Sequence, residues 1–190
     1  MTSPSVAALL AAGGGTRFVG PEHKLLTDMG GRPLWLHSLA AVLQAGFDHV
    51  VVVTGAVPLD LPVEVIERHN PHWGRGQAGS VQLAVAAARE LGAEALTIGL
   101  ADQPFVGSAA WAAVRDADPA CRLVVAVYHG RVGPNPVRLR ADMWPLLPDD
   151  GDGGARDLLR DHPQWVCRVD CVGSGDDIDT VEDLARWKNR

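Results

Sequence analysis

Four segments of this 190-residue chain carry residue types that could handle phosphate and metal. Gly13-Gly14-Gly15-Thr16-Arg17 follows directly on a short apolar run. Glycines let backbone N–H groups approach phosphate oxygens and form an anion-binding nest. Arg17 and Lys24 would then neutralise a polyphosphate, and the plainer alternative is a glycine turn with two solvated bases. Two familiar phosphate loops are excluded by spacing. There is no Gly-x-x-x-x-Gly-Lys-Ser/Thr, and the sixth position from Gly13 is Phe18, so the dinucleotide fingerprint fails.

Asp102, in Leu100-Ala101-Asp102-Gln103-Pro104, stands just past an apolar run, where a carboxylate could hold Mg²⁺. Its alternative duty is to cap a turn or helix, as Asp before Pro often does. Residues 176–183 form a dense acidic stretch, Asp-Asp-Ile-Asp-Thr-Val-Glu-Asp. Helix capping by Asp179 or Thr180, with Glu182 and Asp183 in the first turn, accounts for part of it. The remaining carboxylates repel one another without a cation, so Asp177 or Asp179 could join Asp102 on one metal. In the glycine-rich segment 70–80, Gln77 and Ser80 could bond a base or phosphate at a helix start. Ser80 as an N-cap and Trp73 as a partly buried anchor are the alternatives. A second such tract, Gly151-Asp152-Gly153-Gly154-Ala155-Arg156, offers another helix start and another Arg. The seven histidines lack metal-ligand spacing, and Met29, Met143 and the six Trp read as packing residues.

The elements that would carry these segments alternate. Residues 6–12 read as a strand buried on both faces, and 33–45 as an amphipathic helix stopped by Gly46. Strands follow at 50–54, 63–67 and 95–100, with helices at 79–91 and 108–117. The second half is less regular. Strands are expected at 123–128, 136–139 and 166–172, short helices at 141–147 and 155–162, and a last helix from 180. Such alternation, with strands too apolar to have a wet face, predicts one α/β domain over 1–190. Its mostly parallel sheet lies between helices, with one antiparallel edge element.

Composition limits the partners. With 47% hydrophobic and 21% charged residues, the chain can bury one sizeable core, and its net charge of −6 offers no field for nucleic acid or anionic membrane. No apolar run approaches the roughly 18 residues of a membrane span, and the start lacks the cationic residues of a signal peptide, so a cytoplasmic protein is expected. Cys121, Cys167 and Cys171 show no Cys-x-x-Cys or zinc spacing. They are expected to be reduced packing residues, with Cys167 and Cys171 facing the core together and no disulfide.

In this order, Leu10-Ala11-Ala12-Gly13-Gly14-Gly15-Thr16-Arg17 with Lys24-Leu25-Leu26, residues 70–80, Asp102-Gln103-Pro104, Gly133-Pro134-Asn135-Pro136-Val137, residues 151–156 and Asp177-Ile178-Asp179-Thr180 resemble the MobA-like nucleotidyltransferases over nearly the whole chain. Within that group the chain is most similar to the molybdenum-cofactor cytidylyltransferases, whose first loop reads Leu-Ala-Ala-Gly. The resemblance implies a single-domain, Rossmann-like (GT-A-like) nucleotidyltransferase fold, a three-layer sandwich. It also implies Mg²⁺ and transfer of a nucleoside monophosphate, CMP from CTP being favoured, to a molybdopterin-type acceptor with loss of pyrophosphate. Arg17 and Lys24 would stabilise the triphosphate, and Asp102, Asp179 and Asp177 would hold the metal. Leu10, Ala11, Ala12 and the Gly13, Gly14 and Gly15 amides would contact the nucleotide, with Gln77 and Ser80 on the base side. The Arg17-to-Lys24 gap is longer than is usual for cytidylyltransferases, and Asn135 stands where many relatives carry His. Two other readings are a nicotinamide-dependent oxidoreductase on the same kind of sheet, which the failed fingerprint disfavours, and a carrier handing molybdenum cofactor to a molybdoenzyme.

Overall fold

A computed structural model describes residues 3–188. Seven strands form one sheet in the order β3-β2-β1-β4-β6-β5-β7: β1 (Val6–Ala11), β2 (His49–Thr54), β3 (Ile66–His69), β4 (Ala95–Leu100), β5 (Leu123–Tyr128), β6 (Arg131–Arg140) and β7 (Val166–Asp170). Five α-helices accompany them: α1 (Leu34–Gln44), α2 (Ala78–Glu90), α3 (Ser108–Arg115), α4 (Ala155–Asp161) and α5 (Val181–Lys188). The expected elements are present except that the strand expected at 63–67 lies at Ile66–His69, with Val63 fully exposed before it, and 141–147 forms as a 3-10 segment, Ala141–Leu146.

The three-layer arrangement follows from the strand period. All six residues of β1 are buried. Its alternate side chains serve two cores: Val6, Ala8 and Leu10 pack with Val81, Ala84 and Val85 of α2, while Ala7, Leu9 and Ala11 pack with Trp35 and Leu39 of α1 and Trp111 of α3. A strand read equally from both sides has no polar position, which is why its sequence is an unbroken apolar run. A third, small cluster of Phe18, Met29, Leu34, Ile178 and Leu184 ties α5 to the segment after the glycine loop.

Two expectations are corrected. The antiparallel strand is not at an edge: β6 lies inside the sheet, antiparallel to both β4 and β5, and the edge strand β7 runs parallel to β5. Hydrophobic pattern sets which face of a strand is buried but not which strand it pairs with. Cys121 and Cys167 are joined in a disulfide across 46 residues of sequence. Spacing along the chain could not show this pairing, because the β5–β7 register, with Leu123 opposite Val166, is what brings the two cysteines together. Cys171 stays a thiol on the same side of β7 as Cys167, half-buried against the α1/α3 core, and burial pushes that thiol up. Among the described residues, no helix is long and apolar enough to cross a membrane.

One consequence of this topology bears on the site. The carboxyl ends of the six parallel strands share one edge of the sheet, and β1, between β2 and β4, is where the strand order reverses. Because β6 runs the other way, its beginning, with Asn135, comes to that same edge.

Candidate active site

A cavity of about 370 Å³ opens at this edge. Leu10, Ala11, Ala12, Gly13 and Gly15 line one wall, Lys24, Asp102, Asp179 and Arg17 another, and Gln77, Ser80 and Trp73 a third. The structure thus brings residues from five separate loops to one place. Of the residues selected from sequence, Gly14 and Asp177 do not line the cavity but adjoin residues that do.

The glycine wall is held in shape by its neighbours. Gly15 has φ +61°, a conformation that favours glycine. At Gly14 the indole ring of Trp73 stands 2.6 Å from where a Cβ would lie, so any larger residue would collide with it. His23, absent from the sequence-based set, acts on the same loop. The Leu25 N–H donates to its Nδ1 at 3.3 Å, leaving Nε2 to carry the proton and donate to the Gly13 carbonyl at 3.0 Å. Burial lowers the His23 pKa, and the Lys24 charge adds to this while the Gly13 carbonyl opposes it, so the ring stays neutral near pH 7. A trans peptide points its C=O and N–H in opposite directions, so this bond also fixes the Gly14 N–H. Its signal was its place beside Lys24, not any spacing to another histidine.

The charged wall is an ion cluster. Lys24 Nζ lies 2.6 Å from Asp102 Oδ2 and 3.0 Å from Asp179 Oδ1, and Arg17 lies 2.9 Å from Asp179 Oδ2. Burial alone would depress the Lys24 ammonium, but Asp102 and then Asp179 outweigh it and hold the pKa above its ordinary value. The Lys24 and Asp102 side chains are 11% and 17% exposed, against 76% for Arg17, so the Lys24 contacts are the ones solvent screens least. The seven-position gap therefore does not keep Lys24 from the site. Asp102 Oδ1 is buried and has no hydrogen-bond partner. Asp102 does not cap a helix, since α3 begins after Gly107. It is instead fixed through its neighbour: the Ala101 N–H donates to Leu10 O at 3.0 Å, and Ser38 of α1 donates to the Ala101 carbonyl at 3.0 Å. Asp177 is exposed; partial desolvation, and then the charges of Asp179 and Asp102, raise its carboxyl above the usual range.

On the third wall, α2 starts at Ala78, so Ser80 is not its N-cap. Its buried hydroxyl accepts from Asn70 Nδ2 at 2.9 Å. Gln77 occupies the cap position without a side-chain cap bond and is exposed, which leaves its amide free to meet a ligand. The two glycine-rich tracts are joined: Ala78 N–H donates to Gly151 O at 3.0 Å, and Arg75 pairs with Asp150 at 2.7 Å. Trp73, expected as packing, is 37% exposed and faces the cavity. Trp35, Trp111 and Trp144, with Met29 and Met143, are buried as expected, and Trp165 is half-buried. The Trp187 side chain lies outside the described set.

A second cavity, about 620 Å³, opens at the opposite edge beside Arg115, Arg138 and Arg140. Those cations already have structural partners: Arg115 pairs with Asp116, Arg140 with Asp142, and Arg138 donates to the carbonyls of Arg115, Ala117 and Asp118 behind α3.

Amides, a bridging lysine and two carboxylates around a cavity at the strand-order reversal are the groups that an α/β protein of the nucleotidyltransferase class needs. The chain belongs to the MobA-like NTP transferase domain family, whose model matches residues 7–166. Its fold is similar to that of a nucleotidyl transferase from Methanothermobacter thermautotroptrophicus, with a TM-score of 0.83 at 22% identity, covering 99% of this chain and 97% of that one. Purine catabolism protein PucB of Bacillus subtilis (strain 168) is 29% identical over 199 residues, 96% of each chain. The bifunctional protein GlmU of Acidiphilium cryptum (strain JF-5) is 38% identical over 102 residues, 54% of this chain and 23% of that protein. The chain thus spans about a quarter of that GlmU's length and nearly all of PucB's.

Proposed function

We propose that the protein transfers a nucleoside monophosphate, CMP from CTP as the favoured case, to the terminal phosphate of a molybdopterin-type acceptor, with Mg²⁺ as cofactor. The observation that carries the metal is the buried Asp102 Oδ1, a hard oxygen with no hydrogen-bond partner beside the Lys24 ion cluster. Among the described residues no three carboxylates, histidines or cysteines converge on one point. Mg²⁺ normally takes only one or two protein carboxylates and completes its shell with water and phosphates, so Asp102 and Asp179 fit, with Asp177 beside them. When bound, the ion would neutralise charge on the triphosphate.

The reaction needs little else from the protein. An acceptor phosphate oxygen attacks the α-phosphorus, the bond from that phosphorus to the bridging oxygen of the β-phosphate breaks, and pyrophosphate leaves. Such transfer depends on positioning and charge stabilisation, with no protein nucleophile. The amides of residues 13–15 cradle the phosphates, and Lys24 and Arg17 shift from their carboxylates to the negative charge that grows on the leaving pyrophosphate. Leu10, Ala11 and Ala12 flank the nucleoside, and Gln77 and Ser80 offer the base its hydrogen bonds.

Titrating Trp fluorescence, checked by calorimetry, with CTP, GTP, ATP and NADPH, each with and without Mg²⁺, tests this reading. Mg²⁺-dependent preference for CTP is the expected result. Preference for GTP or ATP keeps the reaction class and changes the product. Binding of NADPH alone overturns the reading in favour of an oxidoreductase, and binding of a pterin without pyrophosphate release from any triphosphate in favour of a carrier.

A further inference from the structure

Asp102 and Asp179 meet on one ammonium, yet the strands that lead to them are far apart. Asp102 follows β4 and the 173–179 loop follows β7, three strand positions away, roughly 14 Å at the usual strand spacing. The loop must therefore be drawn back over the sheet edge, across the ends of β5 and β6. Three hydrogen bonds do this between the 102–105 segment and the loop: Ile178 N–H to Asp102 O at 2.9 Å, Ser174 N–H to Phe105 O at 3.3 Å, and Gln103 Nε2 to Gly175 O at 3.0 Å. Two are backbone bonds that any sequence could make. Only the third is made by a side chain.

We propose that Gln103 is a positioning residue that sets the Asp179 loop relative to Asp102; the inference rests on the nucleotidyltransferase reading above. Gln103 is 1% exposed, and its amide is used on both sides. A carbonyl only accepts, so the Gly175 oxygen requires the NH₂ group, and the Gln103 Oε1 is left to accept from Asn135 Nδ2 at 3.0 Å. Asn135 is itself placed by Tyr128, whose hydroxyl donates to its backbone carbonyl at 3.1 Å. One side chain thus links β4, the interior strand β6 and the loop after β7, the elements the carboxylate pair has to span. The bond requires a donor and an acceptor at the reach of a glutamine. A buried, satisfied amide of this kind is costly to disrupt, because each unmade bond strands a polar partner.

The test uses the full chain with Gln103→Met, which keeps length and bulk and removes both bonds. Binding of CTP is titrated with and without Mn²⁺, alongside kcat, KM and Tm. The metal-dependent gain in CTP affinity is expected to fall about tenfold and kcat to fall with it, while metal-free CTP binding at the glycine wall stays within twofold. Asn135→Ala, which leaves the Gly175 bond in place, shows a smaller loss of the same kind. Should Gln103→Met fail to fold, Gln103→Glu serves instead, since it keeps the Asn135 contact and loses the donor to Gly175. Metal-dependent binding and kcat equal to the unmodified protein overturn the inference. So does an equal fall in metal-free and metal-dependent binding that tracks Tm, which would mark Gln103 as structural only. An unmodified protein without metal-dependent triphosphate affinity overturns the functional reading first, and this inference with it.

Discussion

The glycine wall and the charged wall of the cavity are built on different principles. The first is carried by one stretch of chain, residues 10–24, held by β2 and β4 on either side and by Trp73 against Gly14. Its candidate phosphate-binding groups are backbone amides, which every substitution except proline leaves in place. The second is assembled from three loops, contributing Lys24, Asp102 and Asp179, whose carboxylates are brought together by the cross-sheet bonds of the 173–179 loop, the packing of Ile178 and Leu184 and the Lys24 ammonium between them. The local wall is robust and generic; the assembled wall is where single changes have large effects.

The largest should come at Asp102. Asp102→Asn keeps shape and removes the charge, and turnover is expected to drop on the order of a thousandfold, measured as pyrophosphate release, with metal-free nucleotide binding nearly intact. Full activity in this variant would dissolve the distinction between the walls. Lys24→Met should cost about a hundredfold in turnover, yet because Lys24 Nζ occupies the space between the two carboxylates, Mn²⁺ alone should bind this variant more tightly. Electron paramagnetic resonance of Mn²⁺ reads that directly, and weaker binding would show that lysine and metal do not compete.

Across the cavity the effects shrink. Gly14→Ala forces the Trp73 ring away, and about a tenfold loss in nucleotide affinity is expected, seen equally with and without metal. A loss confined to the metal-bound measurement would mean the walls are coupled after all. The smallest effect concerns acid. Asp183 accepts from the Thr180 hydroxyl and N–H and from the Asp179 N–H, and Thr180 accepts from the Asp183 N–H, which closes a capping box on α5. The bond from the Thr180 hydroxyl is the main cause that holds the Asp183 carboxyl below 3.8. The stabilisation is present above that value and is lost as pH falls through the lower folded one. Amide exchange at Leu184 should accelerate there in the unmodified protein and much less in Asp183→Asn, which lacks the charge at every pH.

The same contrast separates what could be read early from what could not. Strands 95–100 and 123–128 were legible to the residue, because a strand buried on both faces must be an apolar run bounded by turn residues. Gly13, Gly15, Arg17, Lys24, Asp102 and Asp179 were legible as candidates because their types and order carry the chemistry. His23 is not legible from metal-ligand spacing, because its bond is to a carbonyl ten residues back. Trp73 is not legible as a cavity residue, because aromatic residues are usually buried and composition does not say which one is left facing a cavity.

By itself, the sequence determined the alternation of strands and helices, the two-sided core and the candidates for phosphate binding, since periodicity and residue chemistry are local properties. Only the tertiary structure decided that β6 enters the sheet between β4 and β5, that Cys121 meets Cys167, that Gln103 joins strand β6 to the loop after β7, and that Lys24 stands between Asp102 and Asp179. Each of these is a contact between residues far apart in the chain, and its geometry is set by strand order and register, which a hydrophobic pattern leaves open.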